Sequence, residues 1–224
     1  MTLDDTLAHI AEIVSATDLP VNADFGQGFA NEPEQVNRHV KACLNTGVAG
    51  LSIEDATGDK SRPLYDLAFA VERVAAARAA IGHSGSGVLL TARAECYLTH
   101  HPQPFAESIR RLRAYSDAGA DVLYPPGVTN REEIREIVSA VAPKPVNILV
   151  SSGRGLRVQD LAEMGVRRIS VGSSLARTAW SGFIRAAREI AEQGRFEAFT
   201  ALTPFAELDE FFRAYPSAGP VPLT

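Results

Sequence analysis

Gly47-Val48-Ala49-Gly50-Leu51-Ser52-Ile53-Glu54-Asp55 is the stretch that decides the fold. A glycine suited to a left-handed helix stop is followed by a short apolar run, and the run ends in two carboxylates. A strand apolar on both faces belongs in a parallel sheet covered by helices. In such sheets the ligand sits at the carboxyl ends of the strands. The stretch therefore predicts a buried strand over residues 50–54 that delivers acid to a functional rim.

The same unit recurs on either side. Strand-like runs fall at residues 21–24, 88–92, 121–124, 145–149 and 168–171. Between them lie longer stretches with helical period. Val36, Val40, Cys43 and Leu44 share one helix face, with Asn31 as its N-cap and Pro33 and Glu34 in the first turn. Leu64, Leu67, Ala68, Val71, Val74 and Ala75 make a second stripe, and Phe105, Ile109, Leu112 and Tyr115 a third. Gly47, Gly82, Gly119 and Gly165 each stand just before a strand as helix stops. The first three recur at roughly 35 residues, about one strand–helix unit. The alternation predicts an α/β barrel of about six strands, against the eight of a closed one. No linker interrupts it, so residues 1–224 are expected to form one domain, a core to about 193 and a helical tail from about 194. In the tail Phe196, Phe199, Phe205, Leu208, Phe211 and Phe212 cluster before Pro216, Pro220 and Pro222. So many aromatics are expected to pack on the barrel or on a second subunit.

Composition narrows the function. With 46% hydrophobic residues in 224, the chain can bury a large core. A net charge of -5 without a cluster of Lys and Arg argues against a nucleic-acid partner. No run approaches the roughly 18 apolar residues of a membrane span. The acidic, amphipathic start reads as a helix, not a signal peptide. Cys43 and Cys96 show no metal-ligand spacing, and a reduced cytoplasmic setting is expected, with a disulfide as the alternative.

The strand ends carry the chemistry. The first strand ends in Asp24, followed by the loop Phe25-Gly26-Gln27-Gly28-Phe29. The second ends in Glu54-Asp55, and the third in Arg93 with Glu95 just beyond. The fifth carries Asn147. Oxygen ligands of this kind suit Mg²⁺, which takes one or two carboxylates and keeps several waters. An arginine beside them suits a carboxylate or phosphonate, since its planar fork pairs with planar anions. Each residue alone has a plainer reading: a cap or turn for Asp24, a solvated loop for Glu54-Asp55, a mutual ion pair for Arg93 and Glu95. Their coincidence on one rim carries the functional reading. Gly172-Ser173-Ser174 reads as a helix N-cap, with a phosphate cradle as the alternative. His100 and His101 lie in the loop beyond Arg93 and read as loop residues.

At these residues a family resemblance appears. Leu19-Pro20-Val21-Asn22-Ala23-Asp24-Phe25 with Gly28-Phe29 resembles the metal loop of the isocitrate lyase/phosphoenolpyruvate mutase superfamily, in its phosphonomutase-like branch. Residues 47–55 resemble its second acidic strand, and Thr91-Ala92-Arg93-Ala94-Glu95, Lys144-Pro145-Val146-Asn147 and residues 165–172 extend the match. The resemblance implies a modified TIM barrel, a homo-oligomer (dimer or tetramer) with a C-terminal helix swapped between subunits, and a bound Mg²⁺. It implies lyase or phosphonomutase chemistry on a small anionic 2-oxo acid or phosphonate through an enolate-like species. It assigns Asp24 as metal ligand and Glu54 as the holder of metal-bound water. Arg93 would bind the substrate's anionic group, with Glu95 and Asn147 lining the pocket and Gly28 in the substrate loop. Three departures stand out. Gly26 replaces a second acid. The loop Ala56-Thr57-Gly58-Asp59-Lys60-Ser61-Arg62 lacks the lyases' cysteine. About two more strands are expected ahead of the segment matching Met1. The competing readings are a weakened member serving as a binding or assembly subunit, and an unrelated phosphate-binding barrel.

Overall fold

The apolar runs become six short parallel strands in a computed structural model that describes residues 1–153 and 155–213. Arg154 and residues 214–224, with Pro216, Pro220 and Pro222, lie outside the described residues. The chain divides into two compact units, Met1–Ser170 and Val171–Thr224.

In the first unit helix α1 (Leu3–Ser15) leads into β1 (Asn22–Asp24), α2 (Pro33–Leu44), β2 (Gly50–Glu54), α3 (Leu67–Ser84), β3 (Leu89–Arg93), α4 (Pro104–Asp117) and β4 (Val122–Tyr124). Helix α5 (Arg131–Val141), β5 (Asn147–Leu149), α6 (Val158–Glu163) and β6 (Arg168–Ser170) complete it. The sheet order is β1-β2-β3-β4, all parallel; β5 pairs with β6, and one parallel bridge from Leu123 to Val146 joins the two groups. Among the described residues β1 pairs only with β2 and β6 only with β5, so the barrel is not closed.

Residue parity then sorts the side chains. Leu51, Ile53, Leu90, Ala92, Leu123, Ile148 and Ile169 belong to or pack on the apolar core. The alternate set faces the other way: Ser52 and Glu54, Thr91 and Arg93, Tyr124, Asn147, Arg168 and Ser170. Register places Asp24 beside Ser52 and Ser52 beside Thr91, and one step on, Glu54 beside Arg93 and Arg93 beside Tyr124. Polar side chains from distant segments thus share one inner face.

Local chemistry sets the element ends. Thr2 and Asp5 form a reciprocal capping box on α1. Gly47, Gly119 and Gly165 have positive φ, as expected for helix stops. Gly82 does not; α3 runs through it to Ser84 and stops at Gly85, φ 63°. An interior glycine costs about 1 kcal/mol, which packing overrides. The face of α3 also differs from the expected stripe: Ala70, Arg73, Val74, Ala77, Ala80 and Ile81 are buried. Its alanines give little contrast between faces, and an arginine inside one could not be read from period. Asn31 is not the cap of α2; Glu32 holds that position without a side-chain bond, and Asn31 accepts from Tyr65 Oη at 2.5 Å.

In the second unit α7 (Ser174–Gln193) is followed by a 3-10 turn (Glu197–Ala201) and α8 (Phe205–Arg213). Ser173 caps α7 by position, without a side-chain hydrogen bond. Glu189 accepts from the N–H groups of Glu197 and Ala198 and so fixes the turn against α7. None of these three elements buries a residue: Trp180, Phe183, Phe196, Phe205 and Phe212 are all exposed.

Candidate active site

Arg93 is the centre of the rim. Its guanidinium, 12% exposed, meets three carboxylates from three strand ends: Asp24 Oδ1 at 2.8 Å, Glu54 Oε2 at 3.3 Å and Glu95 Oε1 at 2.7 Å. Burial opposes its charge, but Glu95, Asp24 and Glu54 outweigh burial and hold its pKa above the usual arginine value. Burial pushes the Glu95 carboxyl up to about 7, with Arg93 opposing. Glu54 is raised by burial for the same reason. Asp24 is the open member, its side chain 73% exposed. Its Oδ1 also accepts from Ser52 Oγ at 3.2 Å. The Tyr124 ring lies 5.2 Å from the Arg93 guanidinium carbon, in cation–π range.

The loop after Asp24 is clamped from below. Arg73, almost fully buried on α3, donates to the carbonyls of Gln27, Ala30 and Asn31 and stacks on Tyr65 at 4.4 Å. His39 Nδ1 donates to the Gly28 carbonyl at 2.8 Å. Gly28 itself is buried with φ 78°, and an added Cβ would meet Ile53 at 3.3 Å and Val36 at 3.4 Å. It packs the loop onto the core. Gly26, at φ 54°, is different: an added Cβ would meet nothing within 4 Å. There is room beside Asp24 where the family pattern carries an acid.

Beneath the rim lies a second charge cluster. Asp55 is buried, and both its oxygens are used: Oδ1 accepts the Glu95 N–H at 2.8 Å, and Oδ2 accepts Arg111 Nη1 at 3.0 Å and Tyr115 Oη at 2.5 Å. Glu107 completes it at 2.7 Å from Arg111. Burial pushes Asp55 up, with Arg111, Tyr115 and the Glu95 N–H opposing. This cluster ties the end of β2 to the residue after β3 and so positions Glu95.

The structure thus brings together Asp24, Glu54, Arg93 and Glu95. Asn147 lies on the same inner face but deeper, 1% exposed, donating to Ser170 Oγ at 2.9 Å. Tyr124, Ser52, Thr91, Arg168 and Ser170 stand out in the sequence only as parts of strand runs and not as site residues, although counting by twos from Glu54 and Arg93 finds Ser52 and Thr91. The loop at 56–62 borders a cavity of about 430 Å³ lined in part by Lys60, Leu98 and His100. Arg62 makes an exposed pair with Asp66 at 3.7 Å. Cys43 and Cys96 are free and buried, their thiols pushed up by burial to about 11 and about 12.

Among the described residues no group of three His, Cys, Asp or Glu is placed to hold a metal ion by itself. Two carboxylates, Asp24 and Glu54, are sufficient for Mg²⁺ with its waters. Three carboxylates face one guanidinium, leaving excess negative charge when all ionise. Open space at Gly26 leaves room for water. The residues fit.

Parallel strands with helical crossovers and an acid–arginine rim at their carboxyl ends define a barrel-type enzyme scaffold. The phosphoenolpyruvate phosphomutase family model matches residues 1–191, and the chain belongs to that family, within the isocitrate lyase/phosphoenolpyruvate mutase superfamily of enzymes. A Burkholderia cenocepacia protein described as a lyase or mutase superimposes with TM-score 0.90 at 41% identity, over 97% of this chain and 78% of that one. The 2,3-dimethylmalate lyase structure gives TM-score 0.78 at 29% identity, over 96% and 77%. The Escherichia coli 2-methylisocitrate lyase is 33% identical over 62% of this chain and 48% of its own length. The chain thus spans about half of that lyase.

Proposed function

We propose that the chain is a Mg²⁺-dependent lyase or phosphonomutase acting on a small 2-oxo acid or phosphonate. The observation that carries this is the Arg93 guanidinium held among Asp24, Glu54 and Glu95 at three adjacent strand ends. Metal dependence is general in the family, and Asp24 with Glu54 would hold the ion. When bound, the cation supplies fixed positive charge for the enolate-like oxygen charge that develops on the substrate. Arg93, fixed by three carboxylates, orients the substrate's anionic group. Glu95, pushed up to about 7 by burial, is poised to hold or release a proton near neutral pH. The Ala56–Arg62 loop has no cysteine to share that role.

A cytoplasmic setting and a homo-oligomer, dimer or tetramer, belong to the same proposal. Free cysteines support the first; exposed aromatics on α7 and α8 support the second. Among the described residues no helix is long and apolar enough to cross a membrane. The reading as a binding or assembly subunit rests on Gly26. Calorimetric titration with oxalate, a stable mimic of the pyruvate enolate, separates the two. Binding that requires Mg²⁺ supports the enzyme; absence of binding with Mg²⁺ present overturns it.

A further inference from the structure

The inner face carries two guanidiniums, and they differ in what neutralises them. Arg93 is surrounded by three carboxylates. Arg168, on β6, has no carboxylate within ion-pair distance among the described residues. Among the described residues its side chain makes one hydrogen bond, from Nη1 to Thr91 Oγ1 at 3.0 Å. Thr91 is on β3, so the Arg168 side chain reaches across the face past β5 and β4. Thr91 also stands two residues before Arg93 on the same strand face, which puts the Arg168 guanidinium one layer beneath the rim. Burial lowers the Arg168 pKa, the sign of a cation whose charge is undercompensated.

Its neighbours are equally unfinished. Asn147 is the register partner of Arg168 and is 1% exposed. Its amide donates to Ser170 Oγ at 2.9 Å, yet its Oδ1 is buried without a partner. Ser170 Oγ in turn donates to Tyr124 Oη at 3.3 Å, and the Tyr124 ring faces Arg93. A polar track therefore runs from the rim to Arg168. Buried polar atoms are almost always satisfied, and a cation in a partly desolvated site is costly unless an anion meets it. Arg93 meets three carboxylates; Arg168 meets none among the described residues.

We propose that Arg168, with Thr91 and Asn147, forms the floor of the site and binds the second acidic group of the substrate. Asn147 Oδ1 accepts from a hydroxyl or water that accompanies this group. A substrate bound in this way is held by one end at the rim and by the other at Arg168. This inference rests on the site proposed above, and the test separates the two.

Binding of oxalate and of malate is measured by calorimetry with Mg²⁺ present, for the full chain and for Arg168→Gln. Oxalate, whose two carboxylates are joined directly, is short enough to report the rim alone; malate presents a carboxylate and its adjacent hydroxyl at one end and carries its other carboxylate farther along. Arg168→Gln is expected to weaken malate about tenfold or more, and oxalate by no more than about twofold. Unchanged malate affinity, or equal loss of both ligands with an unchanged melting temperature, overturns the floor. Wild-type binding of oxalate but not malate overturns it too, and leaves the rim reading standing. Failure of both ligands overturns both. Should Arg168→Gln lower the melting temperature, Arg168→Lys keeps the charge and loses the fork; a selective loss for malate of about threefold or more supports the proposal, and its absence rejects it.

Discussion

Glu54 and Asp55 are neighbours in the chain and belong to two different charge clusters. Asp55 is buried with Arg111 and Tyr115, and each of its oxygens is taken. Glu54 joins Asp24 and Glu95 around Arg93 at the rim, where carboxylates outnumber the guanidinium and Asp24 is open to solvent. A charge cluster that is buried, paired and saturated is structural. One with surplus charge and an exposed oxygen is available for a ligand. One residue of chain separates the two because successive strand residues point to opposite faces.

The comparison breaks most visibly by substitution on each side of it. Asp55→Ala leaves buried Arg111 with Glu107 alone and strands the Tyr115 hydroxyl and the Glu95 N–H, and is expected to cost about 3 kcal/mol in urea unfolding. Asp24→Ala is expected to cost less than about 1 kcal/mol, since it removes an exposed member of an ion pair, while abolishing Mg²⁺ binding in calorimetry. A reversal of these two outcomes would mean the clusters have been assigned the wrong roles.

A pH series sharpens the rim. The Glu95 carboxyl is raised by burial to about 7 from the 4.5 of an ordinary glutamate. Between those values the folded state holds a proton that the unfolded state has lost. Stability of the metal-free protein is therefore greatest below about pH 4.5 on this group's account and falls as pH rises through 7, by roughly 3 kcal/mol, then levels. Glu54 is raised too and adds to the same slope. Glu95→Gln should flatten the profile in thermal or urea unfolding; an unchanged slope would remove Glu95 as its source.

Smaller effects are expected from Tyr115→Phe and Gly26→Asp. Tyr115→Phe removes one of three donors to Asp55 and should cost about 1–2 kcal/mol, with Mg²⁺ affinity unaltered. Gly26→Asp places a carboxylate in open space beside Asp24, at a positive φ that aspartate tolerates better than most residues. It should tighten Mg²⁺ by a few-fold at a stability cost of about 1 kcal/mol. No gain in affinity would show that the space beside Asp24 is not coordination space.

Much of this was legible in the chain. All six strand positions could be read because strands buried on both sides are short, continuous apolar runs. The rim acids and Arg93 could be read because the ends of those runs are local features. Three other features were not. Gly82 looked like a stop, but α3 ends at Gly85, since tertiary packing carries a helix through one unfavourable residue. The buried face of α3 includes Arg73, whose cost is met by loop carbonyls more than 40 positions away in the chain. Asn31 was expected to cap α2 and instead receives a bond from Tyr65.

The sequence by itself determined the order of strands and helices, the parallel sheet, and the presence of acids and an arginine at the ligand end of it. Each of these depends on residues close together in the chain. Only the tertiary structure decided which charges are neutralised. Arg93 reaches Asp24 across 69 positions, Arg111 reaches Asp55 across 56, and Arg168 reaches Thr91 across 77 without meeting an acid among the described residues. Electrostatic pairing depends on distance in space and on burial, and neither is written in the order of the residues.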